Sequence, residues 1–204
     1  MRRSKEDSEQ TRAAIMDAAE LAFFAQGFSA TTLEQISRAA GVTRGAFYWH
    51  FKDKTDLLAA LHERSFVPQE HIIKFITEAT DDDPLAGLEA AVPCILRSFE
   101  EDERQHHMFR IMSDLSIGKD GAEWMARIHA DLRATLCTIT TKARDNGILR
   151  AELTPEEAAI MLMVSFNGVI SEWMRSGQAF RLCDFGTSFL SRQIAWLRLR
   201  DPGL

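Results

Sequence analysis

One stretch, Thr31–Lys54, TTLEQISRAAGVTRGAFYWHFKDK, restricts what this 204-residue chain can fold into more than any other. Thr31 and Thr32 stand three residues before Glu34 and Gln35, a capping-box signature that opens a short helix with Leu33, Ile36 and Ala40. Gly41 supplies a tight turn, Val42 a buried plug, and Thr43 the cap of a second short helix carrying RGAFYWHF. At about 100° per residue, Phe47 and Phe51 share one face of that helix, Gly45 and Trp49 lie opposite, and Tyr48 is on the flank. The two phenylalanines are therefore core. Gly45 and Trp49 face outward at a cost, because a helical Gly gives up roughly 1 kcal/mol relative to Ala and an exposed Trp is an apolar patch.

Two short helices joined by a glycine turn, the second presenting small, cationic and aromatic side chains, are laid out like a DNA-reading helix-turn-helix. A DNA backbone or groove floor close to Gly45 and Trp49 explains why both are turned outward. The formal charge of −6 argues against a polyanionic partner only when it is counted over the whole chain. Residues 1–64 hold nine Lys/Arg and nine Asp/Glu, so the remaining 15 basic and 21 acidic residues put all the excess acidity in 65–204. Within the head, Arg2, Arg3, Lys5, Arg12, Arg44, Lys52 and Lys54 gather at its two ends and around the second short helix, which leaves room for a cationic face.

Helical periodicity runs through the rest of the chain. Residues 1–7 show none and read as a mobile arm, either a disordered tail or a cationic arm touching phosphates or the minor groove. Ser8 to Gln26 carries Ile15, Ala19, Ala22 and Phe23 at three- and four-residue spacing and ends at Gly27. A long helix follows from Lys54 to about Thr80, with Pro68 expected to kink or break it. Further helices are expected from Pro84 to about Glu101 (interrupted by Pro93), Glu103 to Leu115, Ala122 to Asn146, Pro155 to Ser176 and Cys183 to Arg200. Thr154-Pro155-Glu156-Glu157 combines a capping threonine, a first-turn proline and a glutamate three residues on. The fold class is therefore all-α, with about nine helices: a three-helix head, residues 1–53, on a helical body, residues 54–204. The Pro155–Ser176 helix is apolar nearly all round its middle, from Ile160 to Trp173, so every side of it has to be covered. In so small a body this calls for a second copy of the chain, with Trp173, Phe185, Phe189 and Trp196 as candidate interface residues.

The same residues carry a resemblance. VTRGAFYWHFKDK, with RRSKED and TRAAIMDAAELAFFAQGFSATT before it, is similar to the TetR family of transcriptional repressors, and within it to the AcrR/TtgR-like branch that controls multidrug efflux pumps. The head resembles the family over roughly residues 3–60; the body does so in length, helix order and the ELTPEEAA…NGVI…W segment. The resemblance implies a homodimer whose two heads bind a palindromic operator in double-stranded DNA and whose body binds a small molecule that weakens that binding. By motif position it implies that Thr43, Tyr48, His50 and Lys54 contact phosphates, that Arg44, Gly45 and Ala46 meet base edges, and that Trp49 meets the adjacent sugar or base surface. Thr31 and Thr32 would set a helix N-terminus on a phosphate. For Arg44 there is an independent physical reason, since guanidinium can take guanine O6 and N7 together.

An apolar pocket in the body would draw on Phe66, Val92, Ile95, Phe99, Phe109, Met112, Ser113, Met163, Phe166, Asn167 and Ile170. Asn167 stands out as an amide among apolar neighbours that must find a partner, and eight methionines suit a surface that repacks round varied ligands. The expected function is a ligand-released repressor, with a multidrug efflux operon as its target. The alternative is a regulator of a metabolic operon answering to a metabolite such as an acyl thioester, with Arg104, Arg110 or Arg127 as its cationic anchor. No cofactor, metal or catalytic chemistry is expected. His106 and His107 are adjacent and diverge on a helix, and HExxH, a phosphate loop and a nucleophile–base pair are all missing from the sequence. Three scattered cysteines and no signal-peptide pattern lead to the expectation of a cytoplasmic protein with no membrane partner.

Overall fold

The computed structural model describes residues 5–78, 82–117 and 121–199, side chains at 67–70, 75, 116 and 117 excepted. Nine α-helices run through them: α1 Lys5–Gln26, α2 Leu33–Ala39, α3 Arg44–His50, α4 Lys54–Glu78, α5 Pro84–Glu101, α6 Glu103–Ile117, α7 Ala122–Asp145, α8 Pro155–Arg175 and α9 Leu182–Leu197. Among the described residues the one strand-like pairing is an isolated antiparallel bridge between Leu149 and Arg198. None of the helices is long and apolar enough to cross a membrane.

Two compact units divide the chain, residues 1–67 with 103–126, and 68–102 with 127–204. In the first, Ile15, Ala19 and Phe23 of α1 are buried with Ile36 of α2, Phe47 of α3, Leu57, Leu58 and Leu61 of α4, and Met108 and Ile111 of α6. The spacing of these residues is what makes each helix amphipathic, and burying them is the main force holding the unit together. A polar cluster at the edge of this core links three helices. Arg64 on α4 donates from Nη1 to Asp17 at 2.7 Å and from Nη2 to Glu20 at 2.6 Å, and Nδ1 of His107 on α6 lies 2.8 Å from the other Glu20 oxygen. Glu20 thus ties α1 to both α4 and α6.

In the second unit α5 and α8 both pack along α9. The α5–α9 approach depends on Gly186, because a Cβ there would sit 2.7 Å from a methyl of Leu96. The N-terminus of α9 has no side-chain cap of its own. Glu100, from the end of α5, accepts instead from the backbone N–H of Leu182 at 2.9 Å and of Cys183 at 3.4 Å. Thr154 and Glu157 form the expected capping box on α8, and the hydrogen bonds Glu157 accepts from Thr154 hold its carboxyl below the usual range.

Several boundaries differ from expectation. Lys5, Glu6 and Asp7 form the first turn of α1 rather than an arm, and Lys5 reaches Glu9 at 3.8 Å; Arg2 and Arg3 lie outside the described residues. Neither Pro68 nor Pro93 ends its helix, as a proline removes one hydrogen bond while packing fixes the rest of the helix. The end of α9 comes at Leu197, because Arg150 N–H donates to Leu197 O and Leu199 N–H to Ile148 O, which draws the chain out of the helix.

Candidate nucleic-acid interface

The geometry of α2 and α3 is set by caps. Thr32 caps α2, with its hydroxyl accepting from Gln35 N–H and Gln35 Oε1 accepting from Thr32 N–H. Gly41 turns the chain at φ +67, a left-handed conformation that a side chain would strain. Thr43 then caps α3, its hydroxyl accepting from Ala46 N–H at 3.1 Å. On α3 the two sides separate as the spacing predicts. Phe47 is fully enclosed, Phe51 packs against it with ring centres 5.8 Å apart, and Trp49 is 82% exposed. Arg44, Gly45 and Tyr48 are exposed, and Ala46 and His50 half-buried. Arg44 lies over the Tyr48 ring at 5.8 Å and donates to its hydroxyl at 3.5 Å, a bond that holds the guanidinium more firmly charged.

Two of the expected phosphate contacts are otherwise engaged. Thr31 is buried and its hydroxyl donates to the carbonyls of Gly27 and Ala22 at 2.8 and 3.2 Å, so only Thr32 presents its side chain at the start of α2. Lys54 donates from Nζ to the carbonyls of Phe28 at 2.6 Å and Thr31 at 3.0 Å and lies over the Phe28 ring, which fastens the α1–α2 connection to α4.

The pocket candidates divide between the units. Phe66, Phe109 and Met112 are half-buried in the first. Ser113, also there, is exposed and donates to Phe109 O at 2.8 Å, an ordinary helical back-bond. In the second unit Val92, Ile95, Phe99 and Ile170 are buried, and Met163 and Phe166 half-buried. Asn167 is exposed beside exposed Gly168, so within one chain its amide faces outward rather than into the core. Of the alternative cationic anchors, Arg104, Arg110 and Arg127 are all exposed, and Arg110 lies over the Phe24 ring at 4.9 Å.

The interface candidates also divide. Trp173 is 2% exposed, edge-on to Phe99, with its indole N–H donating to Phe180 O at 2.9 Å; it is core, not interface. Phe185 is exposed and stacked on Phe189 at 6.2 Å, and Trp196 is 43% exposed beneath the Arg150 guanidinium. Of the apolar run on α8 that called for a second copy, Ile160 and the 62% exposed Val164 are the residues left in solvent. Their spacing puts them on one face, since Ile160, Val164 and Gly168 follow one another every four residues. Among the described residues no group of three or more His, Cys, Asp or Glu could hold a metal ion.

Residues 15–61 match the model of the family described as bacterial regulatory proteins, tetR family. The chain is 33% identical to the transcriptional repressor BepR of Brucella suis over 97% of both chains, and 30% identical to the regulator TtgR of Pseudomonas putida over 85% of both. Among solved structures it is similar to SmeT, the repressor of the Stenotrophomonas maltophilia multidrug efflux pump SmeDEF, in complex with triclosan. That likeness has a TM-score of 0.82 at 32% identity and covers 94% of this chain and 93% of SmeT.

Proposed function

The chain belongs to the TetR family of bacterial transcriptional regulators, and on that premise we propose that it is a ligand-released repressor of a multidrug efflux operon, acting as a homodimer on a palindromic operator. It is a DNA-binding regulator, not an enzyme. The observation that carries the reading is the outward face of α3, where Arg44, Gly45 and Tyr48 are exposed with the 82% exposed indole of Trp49 on a helix whose other side is core. In this reading Arg44, Gly45 and Ala46 meet base edges and Trp49 a sugar or base surface. Thr32, Thr43, Tyr48 and His50 bind phosphates, and such contacts position the protein without reading sequence.

DNA binding is assigned to residues 1–53, and ligand binding and dimerisation to 54–204. The second copy covers Ile160, Val164, Phe185, Phe189 and Trp196. Such an arrangement holds two recognition helices at the roughly 34–36 Å separation of successive major grooves. Helix α4 supplies residues to both structural units, so a ligand that displaces its second half acts on the head through one continuous helix. Arg64 on that helix pulls on Glu20 of α1, which His107 of α6 also engages. A coupling of about 1–3 kcal/mol, typical of allosteric proteins, weakens operator binding some 5–150-fold. The likeness to the SmeT–triclosan complex makes triclosan the first compound to try. The test is fluorescence anisotropy on a duplex that the wild-type protein selects from a randomised library. Equal binding with and without saturating apolar compounds would refute induction.

A further inference from the structure

Arg12 is exposed on α1, outside the helix-turn-helix and without a role in it. Its guanidinium carbon lies 5.2 Å from the centre of the Phe51 ring, and Nη1 donates to the Met16 sulfur at 3.2 Å. A ring face and a thioether hold the side chain in place without neutralising it. Glu9, the carboxylate one turn earlier, is taken by Lys5, and among the described residues no carboxylate pairs with Arg12. Arg64 in the same unit is the contrast, since Asp17 and Glu20 consume its charge internally.

What Arg12 stands beside gives the free charge a direction. Phe51 is the C-cap residue of α3, and the His50 ring lies 6.4 Å from it, so Arg12 and His50 flank one aromatic ring. Lys52, the next residue, is exposed. The carboxylates that follow turn to their own backbone. Asp53 accepts from Thr55 and Asp56 N–H, and Asp56 from Lys52 N–H. The C-terminal end of the recognition helix is therefore edged by Arg12 and Lys52, drawn from segments about forty residues apart in a region with no net charge. A DNA strand offers a phosphate about every 3.4 Å of helix axis, which gives these two cations their counterions.

On the reading of the chain as an operator-binding regulator, we infer that Arg12 is a phosphate-contacting residue that grips the DNA strand passing the C-terminal end of α3. Held on Phe51 before DNA arrives, it loses little rotamer freedom on binding. It adds affinity and fixes the docking angle of the head, and it carries no sequence information.

The test uses the full chain and a duplex that the wild type selects from a randomised library, with Kd measured between 50 and 200 mM salt. Arg12→Gln is expected to weaken binding to selected and scrambled duplexes by the same factor. The slope of log K against log salt should become shallower by about 0.9 per lost phosphate contact, hence about 1.8 per dimer. Arg12→Lys should restore the slope, whereas Arg44→Ala should keep the slope and lose the discrimination. A wild-type slope in Arg12→Gln overturns the proposal, as does Arg12→Lys behaving no better than Arg12→Gln. If the wild type selects no duplex, the regulator reading fails and this inference fails with it.

Discussion

Helices α3 and α8 show the same anomaly, large apolar side chains left in solvent, in different company. On α3 one indole stands alone among Arg44, Tyr48, His50 and Lys52. On α8 the exposed face runs Ile160, Val164, Asn167 and Gly168, with no charge between Glu157 and Glu172, and α9 adds Phe185 and Trp196. Exposed aromatic rings near the Arg44 and Lys52 charges suit a polyanion with flat base and sugar surfaces. The charge-free face of α8 suits the same face on another copy, because a two-fold interface must be complementary to itself. Exposure by itself says that something binds. The neighbouring charge says which class of partner it is.

The largest effects are expected at the two tryptophans of α8 and α9. Trp173→Ala should cost about 3–5 kcal/mol of thermal or denaturant stability, as for other buried tryptophans. Trp196→Ala should change stability little at fixed dimer concentration but raise the dimer dissociation constant, measured by sedimentation. If Trp196→Ala proved the more damaging to folding, Trp196 would be core and the comparison would fail.

Next in size is a crossed pair. Arg44→Ala should lose about 1–3 kcal/mol of discrimination at each half-site while remaining a dimer. Val164→Asp should dissociate the dimer and leave the head folded by circular dichroism. A monomeric Arg44→Ala, or a Val164→Asp protein that dimerises normally, would show that charge environment does not sort the two faces.

A smaller effect sharpens the contrast within the first unit, where Trp124 faces inward instead of out. It lies edge-on to His62 with ring centres 5.5 Å apart, and Phe66 lies at 5.1 Å on the same imidazole. Burial there pulls His62 down to about 4. A depressed histidine stays neutral when folded but takes a proton when unfolded, so its contribution is present above about pH 6.5 and is lost as pH falls toward 4. The loss should be roughly 1–3 kcal/mol across that window. Denaturant stability from pH 7 to 4.5 should fall less steeply in His62→Phe than in the wild type; parallel curves would place His62 in water.

What could be read from the sequence follows from how local each cause is. Periodicity and caps fixed the helices: Thr43, Thr154 and the glycine after α1 act within a few residues, and the outward turn of Trp49 follows from its spacing to Phe47. The contacts that escaped the reading depend on how one element packs on another. Thr31 reads as a second cap but is buried under the α1–α2 turn. Lys54 reads as a phosphate ligand but fastens that turn. Trp173 and Asn167 lie only six residues apart on one apolar helix, and only the packing of α5 and α9 puts the indole inside and the amide outside.

The start of α9 tests that distinction at the scale of a single hydrogen bond. Helix α3 is capped by its own Thr43, whereas α9 borrows Glu100 from α5, some eighty residues away in sequence. Glu100→Ala leaves the N–H groups of Leu182 and Cys183 without that acceptor and should cost about 1 kcal/mol, the usual value of a helix cap. Thr43→Ala should cost a similar amount but act on the head. Placing a local cap by Arg181→Asp in the Glu100→Ala protein should recover part of the loss, because an aspartate at the N-cap accepts from the N–H of Cys183 or Asp184 and favours the helix dipole. Recovery by Arg181→Asp would make the remote carboxylate a cap and nothing more. If Arg181→Asp recovered nothing, Glu100 would be holding α5 against α9 through its position, and the two helix starts would differ in kind as well as in distance.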